Sequence, residues 1–229
     1  SPSREEEIKI GRQITGNLLG ASPLVKDAAL QKYVNEVGRW VASQSERPDL
    51  PWHFGVIESE DINAFAAPGG YVIITKGLYR KLENEAQLAG VLGHEIGHVV
   101  RKHHLKLLQK TQLLNLGAKL LGSKTGGNDT VQKVIGNGAE ILARGLDKNA
   151  EYEADRMGVI LAARAGYEPF GLPEVLQSMG QVSDASRLAL LYKTHPHPDD
   201  RLTQLGDAIG GRLDNIQGKT LGERFYKLK

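Results

Sequence analysis

No cysteine occurs among the 229 residues, which excludes disulfides and thiol catalysis. It leaves the compartment open, because cysteine-free proteins occur in reducing and oxidising spaces alike. No run of 18 or more apolar residues is present, so no segment has the make-up of a membrane-spanning helix. Charge of one sign is missing too: 29 Lys and Arg against 27 Asp and Glu leave a net +2. No basic cluster is interleaved with aromatics in a way that reads bases, and nucleic acid is not the expected partner. Repeats are absent. There is also no start methionine; Ser1 in that place implies a processed or trimmed N-terminus, with any signal peptide or lipid-bearing cysteine upstream. With 40% hydrophobic residues the chain can bury a sizeable core, and one domain over 1–229 is the expectation.

What is present is chemistry for one ion. In His94-Glu95-Ile96-Gly97-His98 two imidazoles lie four residues apart, on one helical face and one turn from each other. Glu95 is rotated about 100° from His94, beside a shared metal without ligating it. That is the position of a general base for metal-activated water. A catalytic tetrahedral zinc takes three protein ligands and keeps a place for water, so one more is needed. Glu151-Tyr152-Glu153-Ala154-Asp155 offers it. Glu151 and Asp155 share a helical face, while Glu153 points roughly 200° away from Glu151. Glu151 is thus the expected third ligand, and Asp155 the expected acceptor for the outer ring N–H of a ligand histidine. Glu153 is expected to be solvated or in a surface pair.

The first motif alone turns up by chance in about one or two of a hundred such chains, so the second motif and the surroundings matter. Leu88 to Val100 is apolar on nearly all sides of His94, Glu95 and His98, where lone charged groups are costly without a partner. Gly90, Gly93 and Gly97 each cost up to about 1 kcal/mol relative to Ala inside a helix. Their common stripe predicts close approach of another backbone. His103 and His104, five and six residues past His98, fall off the ligand face and are expected to be exposed.

The periodicity reads as α+β, predominantly helical, with one small sheet. Helices are predicted over Arg4 to Leu19 and Leu24 to Gln44, a strand over Trp52 to Glu58, and a hairpin of Ala64 to Ala66 with Tyr71 to Thr75 turned by Pro68-Gly69-Gly70. The metal helix should start near Glu83 and run to about Leu108. A further segment at Leu113 to Leu121 precedes a flexible connector at about 122–130. Helices follow at Val131 to Arg144, Asn149 to Ala165, Pro169 to Met179, Ala185 to Tyr192 and Pro198 to Ile209. Asn63-Ala64-Phe65-Ala66 is either an ordinary hairpin arm or an edge to which an extended peptide adds as a strand. Thr194-His195-Pro196-His197-Pro198 is held out of a helix interior by its prolines. One reading is a helix-capping loop.

These motifs, with Asn63 to Gly70, Thr194-His195-Pro196 and Arg201, resemble the zinc endopeptidase family of HtpX, the type I CAAX prenyl proteases and the mitochondrial Oma-type proteases. Within it the chain is most similar to the compact bacterial periplasmic members. The resemblance spans roughly residues 5 to 209. It implies a gluzincin-like zincin domain with the hairpin over the metal helix, zinc on His94, His98 and Glu151, and Glu95 as catalytic base. It also implies a loop able to cover the site, with His195 as an inhibitory fourth zinc ligand. Arg201 would then hold Asp155 or a ligand carboxylate in place, or act catalytically on the oxyanion. The implied activity is metalloendopeptidase hydrolysis of extended or unfolded polypeptides in envelope quality control. The implied place is the bacterial periplasm, with a lipid anchor through an upstream segment as an open alternative, beside the membrane surface or the outer-membrane assembly machinery. Lack of transmembrane spans and of room for a helical-repeat domain sets the chain apart from some members. The rival is a zinc-holding chaperone or binding module closed by His94, His98, Glu151 and His195. An aminopeptidase is disfavoured, since no acidic anchor for a substrate N-terminus is identifiable.

Overall fold

A computed structural model describes residues 1–111 and 145–228. The helices expected at 113–121 and 131–144 and the connector at 122–130 lie outside the described residues. The expected class is borne out: helices surround a three-stranded sheet.

Helix α1 (Arg4–Ala21) opens on Ser3, whose side chain accepts from the Glu6 N–H, and carries Glu5, Glu6 and Glu7 in its first turn, where acids suit the positive end of the helix dipole. Helix α2 (Ala28–Ala42) buries Leu30, Val34, Val37 and Val41. It begins later than the expected Leu24 because the preceding chain is extended: the Val25 N–H donates to Val56 O at 2.9 Å, and Asp27 then caps the helix through the Leu30 N–H. Strands β1 (His53–Ile57), β2 (Ala64–Ala67) and β3 (Tyr71–Thr75) lie in the order β1-β3-β2, with β1 parallel and β2 antiparallel to β3. The β2–β3 hairpin turns through Gly69 at φ 86° and Gly70 at φ 104°, values that L side chains rarely adopt. Strand β2 is left at a sheet edge.

A short helix α3 (Lys76–Tyr79) leads to α4 (Glu85–Val100), capped by Asn84 on the Gln87 N–H and buried along its whole length. A helix apolar on nearly all sides belongs in a core, and α4 packs against α2 and β2. It does not continue to Leu108. Arg101 caps its C-terminus, Lys102 takes a left-handed φ of 57°, and a separate helix α5 occupies 103–111. A left-handed residue ends the helical hydrogen-bond ladder and redirects the chain.

Helix α6 (Lys148–Arg164), capped by Asp147 on the Ala150 N–H, crosses α4 along the glycine stripe. A Cβ placed on Gly93 would come within 2.9 Å of Gly158 O, so the two backbones touch. Gly97 meets Ala154 of α6 and Gly90 meets Leu172, the latter on α7 (Gly171–Gly180). Helices α8 (Ala185–Thr194) and α9 (Pro198–Ile209) follow. The chain then returns across the start of α4: Glu168 N–H donates to Lys219 O and Ala86 N–H to Thr220 O, and Phe225 is buried in the core. No described helix is long and apolar enough to cross a membrane.

Candidate metal centre

Helix α4 presents His94 and His98, α6 presents Glu151 and Asp155, the α8–α9 loop presents His195, and α9 presents Arg201. The crossing at Gly93 and Gly158 brings the first two elements to one point. His94 Nε2 lies 3.0 Å from His98 Nε2 and 3.3 Å from Glu151 Oε2. His98 Nε2 lies 3.3 Å from Glu151 Oε1, and His195 Nδ1 lies 2.8 Å from Glu151 Oε2. One donor atom from each of the four residues falls within 4.8 Å of the others, a set that suits a metal ion. Glu95 is buried with its Oε1 3.9 Å from His94 Nε2, beside the donors and outside their set.

The outer side of His94 faces Asp155, with Nδ1 2.7 Å from Oδ1. An ionised carboxylate only accepts, so Nδ1 carries a proton, and Nε2 is the nitrogen turned to the centre, able to offer its lone pair once its own proton is displaced. Arg201 grips the same carboxylate as a fork, Nε to Oδ2 at 2.9 Å and Nη2 to Oδ1 at 2.7 Å, and all three side chains are buried. Burial alone would raise Asp155, but Arg201 and His94 outweigh it and hold its carboxyl well below the usual carboxylate range. Glu151 behaves likewise: burial pushes it up, and His195 and His98 hold it far lower. Burial depresses His94, yet Asp155 and Glu151 raise it to about 10. A cation entering the site therefore displaces a proton there.

His103 and His104 are not exposed. The turn at Lys102 swings both back toward the centre. His103 Nδ1 lies 2.9 Å from His98 Nδ1, and its Nε2 lies 2.8 Å from Glu153 Oε1. The His104 ring is 5.2 Å from that of His98 and lines the same cleft; burial among these imidazoles pushes it well below its ordinary value. Helical spacing cannot foresee a left-handed lysine. The available hint was Glu153, the acid of the second motif left without a role.

Ala64, Phe65 and Ala66 line the cleft together with Glu95, His98, Glu151 and His195. Asn63 lies just outside it, fully buried, with its N–H donating to Thr75 Oγ1 at 3.1 Å. The free space in this cleft is about 10 Å³, room for roughly one water. A larger cavity of about 550 Å³ lies among α1, α2, β1 and β3 and shares no lining residue with the centre.

Residues 28–209 match the profile of Peptidase family M48. The chain is 32% identical over 207 residues to the beta-barrel assembly-enhancing protease of Escherichia coli K12, covering 86% of this chain and 42% of that protein. It is 28% identical over 185 residues to the mitochondrial metalloendopeptidase OMA1 of Arabidopsis thaliana, covering 81% and 37%. With the metalloprotease YcaL of Escherichia coli K12 the identity is 26% over 161 residues, covering 69% and 63%. The chain thus spans about two fifths of the length of the beta-barrel assembly-enhancing proteases it matches.

Proposed function

From the premise that this chain belongs to Peptidase family M48, we propose that it is a zinc metalloendopeptidase cleaving extended or unfolded polypeptides. The observation that carries this reading is the convergence of His94, His98 and Glu151. A tetrahedral zinc with arms of about 2.0–2.1 Å needs ligand atoms about 3.3–3.4 Å apart; the two Nε2 atoms are 3.0 Å apart, and the Glu151 carboxylate spans them, Oε2 at 3.3 Å from His94 and Oε1 at 3.3 Å from His98. The 2.7 Å bond from His94 Nδ1 to Asp155 Oδ1 supports the same assignment, because it turns Nε2 toward the other donors.

Bound there, zinc supplies a Lewis acid that activates water and polarises a carbonyl. Glu95, beside the donors, accepts the proton of the attacking water and returns it to the leaving amine. Asp155 orients His94, and Arg201 holds Asp155, the first of the two roles open to it in the sequence. Ala64 to Ala66 on the edge strand β2 receive the substrate backbone as an added strand, with Asn63 anchoring the strand's start. His195 lines the cleft and lies 2.8 Å from Glu151; its loop covers the donor set at rest and moves for substrate. Kinship with beta-barrel assembly-enhancing proteases favours work on misassembled proteins of the bacterial envelope, in the periplasm beside the outer-membrane assembly machinery.

Metal analysis paired with casein hydrolysis tests this. Glu95→Gln should retain zinc and lose activity by about 10²-fold or more, while His98→Ala and Glu151→Gln should lose the metal. Casein cleavage by Glu95→Gln at the wild-type rate would refute the base. The four-donor set with His195 is the one observation that favours a closed zinc-holding module, and family membership weighs against it. His195→Ala separates the two: faster casein cleavage is expected of a peptidase, and none of a holding module.

A further inference from the structure

Each ligand histidine has a second ring nitrogen, and the two are held differently. That of His94 meets the buried Asp155. That of His98 meets another imidazole. We infer that His103 and Glu153 form the positioning arm of His98, setting which of its nitrogens is bare, as Asp155 and Arg201 do for His94. The inference rests on the zinc reading above.

The assignment follows from where one proton can sit. His98 Nε2 faces Glu151 and His94, so as a ligand it carries no hydrogen, and the neutral ring must then hold its proton on Nδ1. His103 Nδ1 is 2.9 Å away. Two N–H groups cannot face each other at that distance, nor two lone pairs without repulsion. His103 Nδ1 must therefore be the acceptor, and His103 must carry its own proton on Nε2. That atom lies 2.8 Å from Glu153 Oε1, an acceptor in the right place. Reversed, the chain fails at both ends: a bare His103 Nε2 would face a carboxylate, and a protonated His98 Nε2 would face the donor set. Arg101 Nε, 3.8 Å from Glu153 Oε1, helps to hold the carboxylate. The break at Lys102 makes the arm possible, since in an unbroken helix His103 would sit five residues, about 500°, past His98 and off its face.

This gives Glu153 and His103 a task that none of the proposed ligand or base roles contains. Outer partners of metal-bound histidines commonly change metal affinity by about 10- to 100-fold when removed. The arm on His98 is the weaker of the two, because Glu153 is 40% exposed whereas Asp155 is 1% exposed.

Two measurements on the zinc-loaded full chain decide the matter. In a long-range proton–nitrogen NMR spectrum of the histidine rings, His103 should be protonated on Nε2 and bare on Nδ1; a proton on His103 Nδ1 overturns the inference. In the second, zinc is drawn into excess chelator and its release is timed. His103→Ala should release it about 10- to 100-fold faster than wild type. His103→Gln, whose amide oxygen can accept from His98, should recover part of the difference. Glu153→Ala should accelerate release less, and adding it to His103→Ala should change nothing further, because the two act in series. Release at the wild-type rate from folded His103→Ala overturns the arm. If His103→Ala does not fold, Glu153→Ala, which removes the acceptor for His103 Nε2–H, carries the test alone, with unchanged release again the overturning result. A wild-type chain that binds no zinc overturns the zinc reading itself; a zinc-loaded wild type with normal release from these variants overturns this inference only.

Discussion

Three buried acids share the space around His94, and their neighbours divide the work. Glu151 touches three imidazoles, Asp155 an imidazole and a guanidinium, while Glu95 stands 3.9 Å from His94 Nε2. All three are carboxylates of similar reach, so their differences come from what each faces. Removing the charge of Asp155 should expose this. Asp155→Asn leaves buried Arg201 without its counter-ion and is expected to cost about 3–5 kcal/mol in urea unfolding, with zinc affinity falling about 10- to 100-fold in a titration. Arg201→Lys cannot form the fork and should weaken zinc by less, through a loosened Asp155. The spacing of the two motifs made these faces legible in advance. The direction of each ring's proton was not legible, because it depends on partners from α6, α9 and the turn at Lys102.

At the scale of elements, the centre is where two helices cross at a pair of glycines. The stripe Gly90, Gly93 and Gly97 foretold a close backbone, but nothing in the sequence said that Gly158 would be the residue opposite. A Cβ on Gly158 would lie 2.7 Å from His94 N, an atom that cannot move aside without shifting α4. Gly158→Ala should therefore force the helices apart, costing about 1–3 kcal/mol. It should also lower zinc affinity although none of the proposed ligands is altered. Gly16 on α1 is the control: a Cβ there meets nothing within 4 Å, and Gly16→Ala should gain up to about 1 kcal/mol and leave zinc affinity unchanged. Thermal melts and zinc titration of both variants read the contrast. Element ends were less legible than their interiors. Val25 is drawn into an extended pairing with Val56, and Lys102 adopts a left-handed turn; both are tertiary effects that override local helical preference.

Across the whole molecule, the returning C-terminal segment locks the start of α4. The Glu85 carboxylate, fully buried at the first turn of α4, accepts from Tyr33 Oη at 2.7 Å, Tyr167 Oη at 2.6 Å, Arg224 Nε at 2.9 Å and Arg224 Nη2 at 2.5 Å. These donors come from α2, the turn after α6 and the C-terminal segment. Burial raises Glu85, yet the bonds from Arg224, Tyr167 and Tyr33 outweigh it and leave its pKa below the ordinary 4.5. A lowered folded value means that the unfolded chain binds the proton more tightly. The stabilisation is therefore full above about pH 4.5 and is lost as the pH falls toward the folded value. Glu85→Gln should unfold at lower urea near neutral pH, and its disadvantage against wild type should shrink as the pH drops below about 4.5. Arg224→Ala, which leaves the two phenols in place, should cost about 1–3 kcal/mol in the same measurement.

Residue order determined what could be read from periods of two and 3.6: the helical and strand segments, the hairpin at Pro68-Gly69-Gly70, and the two motifs whose like-facing residues could meet at one ion. It determined these because each depends on neighbours within a few positions. The tertiary structure alone decided that α4 and α6 cross glycine on glycine, that His195 reaches Glu151, that His103 turns inward, and that residues 210–228 close over Glu85. Apart from the five-residue step from His98 to His103, each of those joins residues tens to more than a hundred positions apart, and the free energy that selects them comes from burial and pairing across the assembled core. No local spacing carries that information.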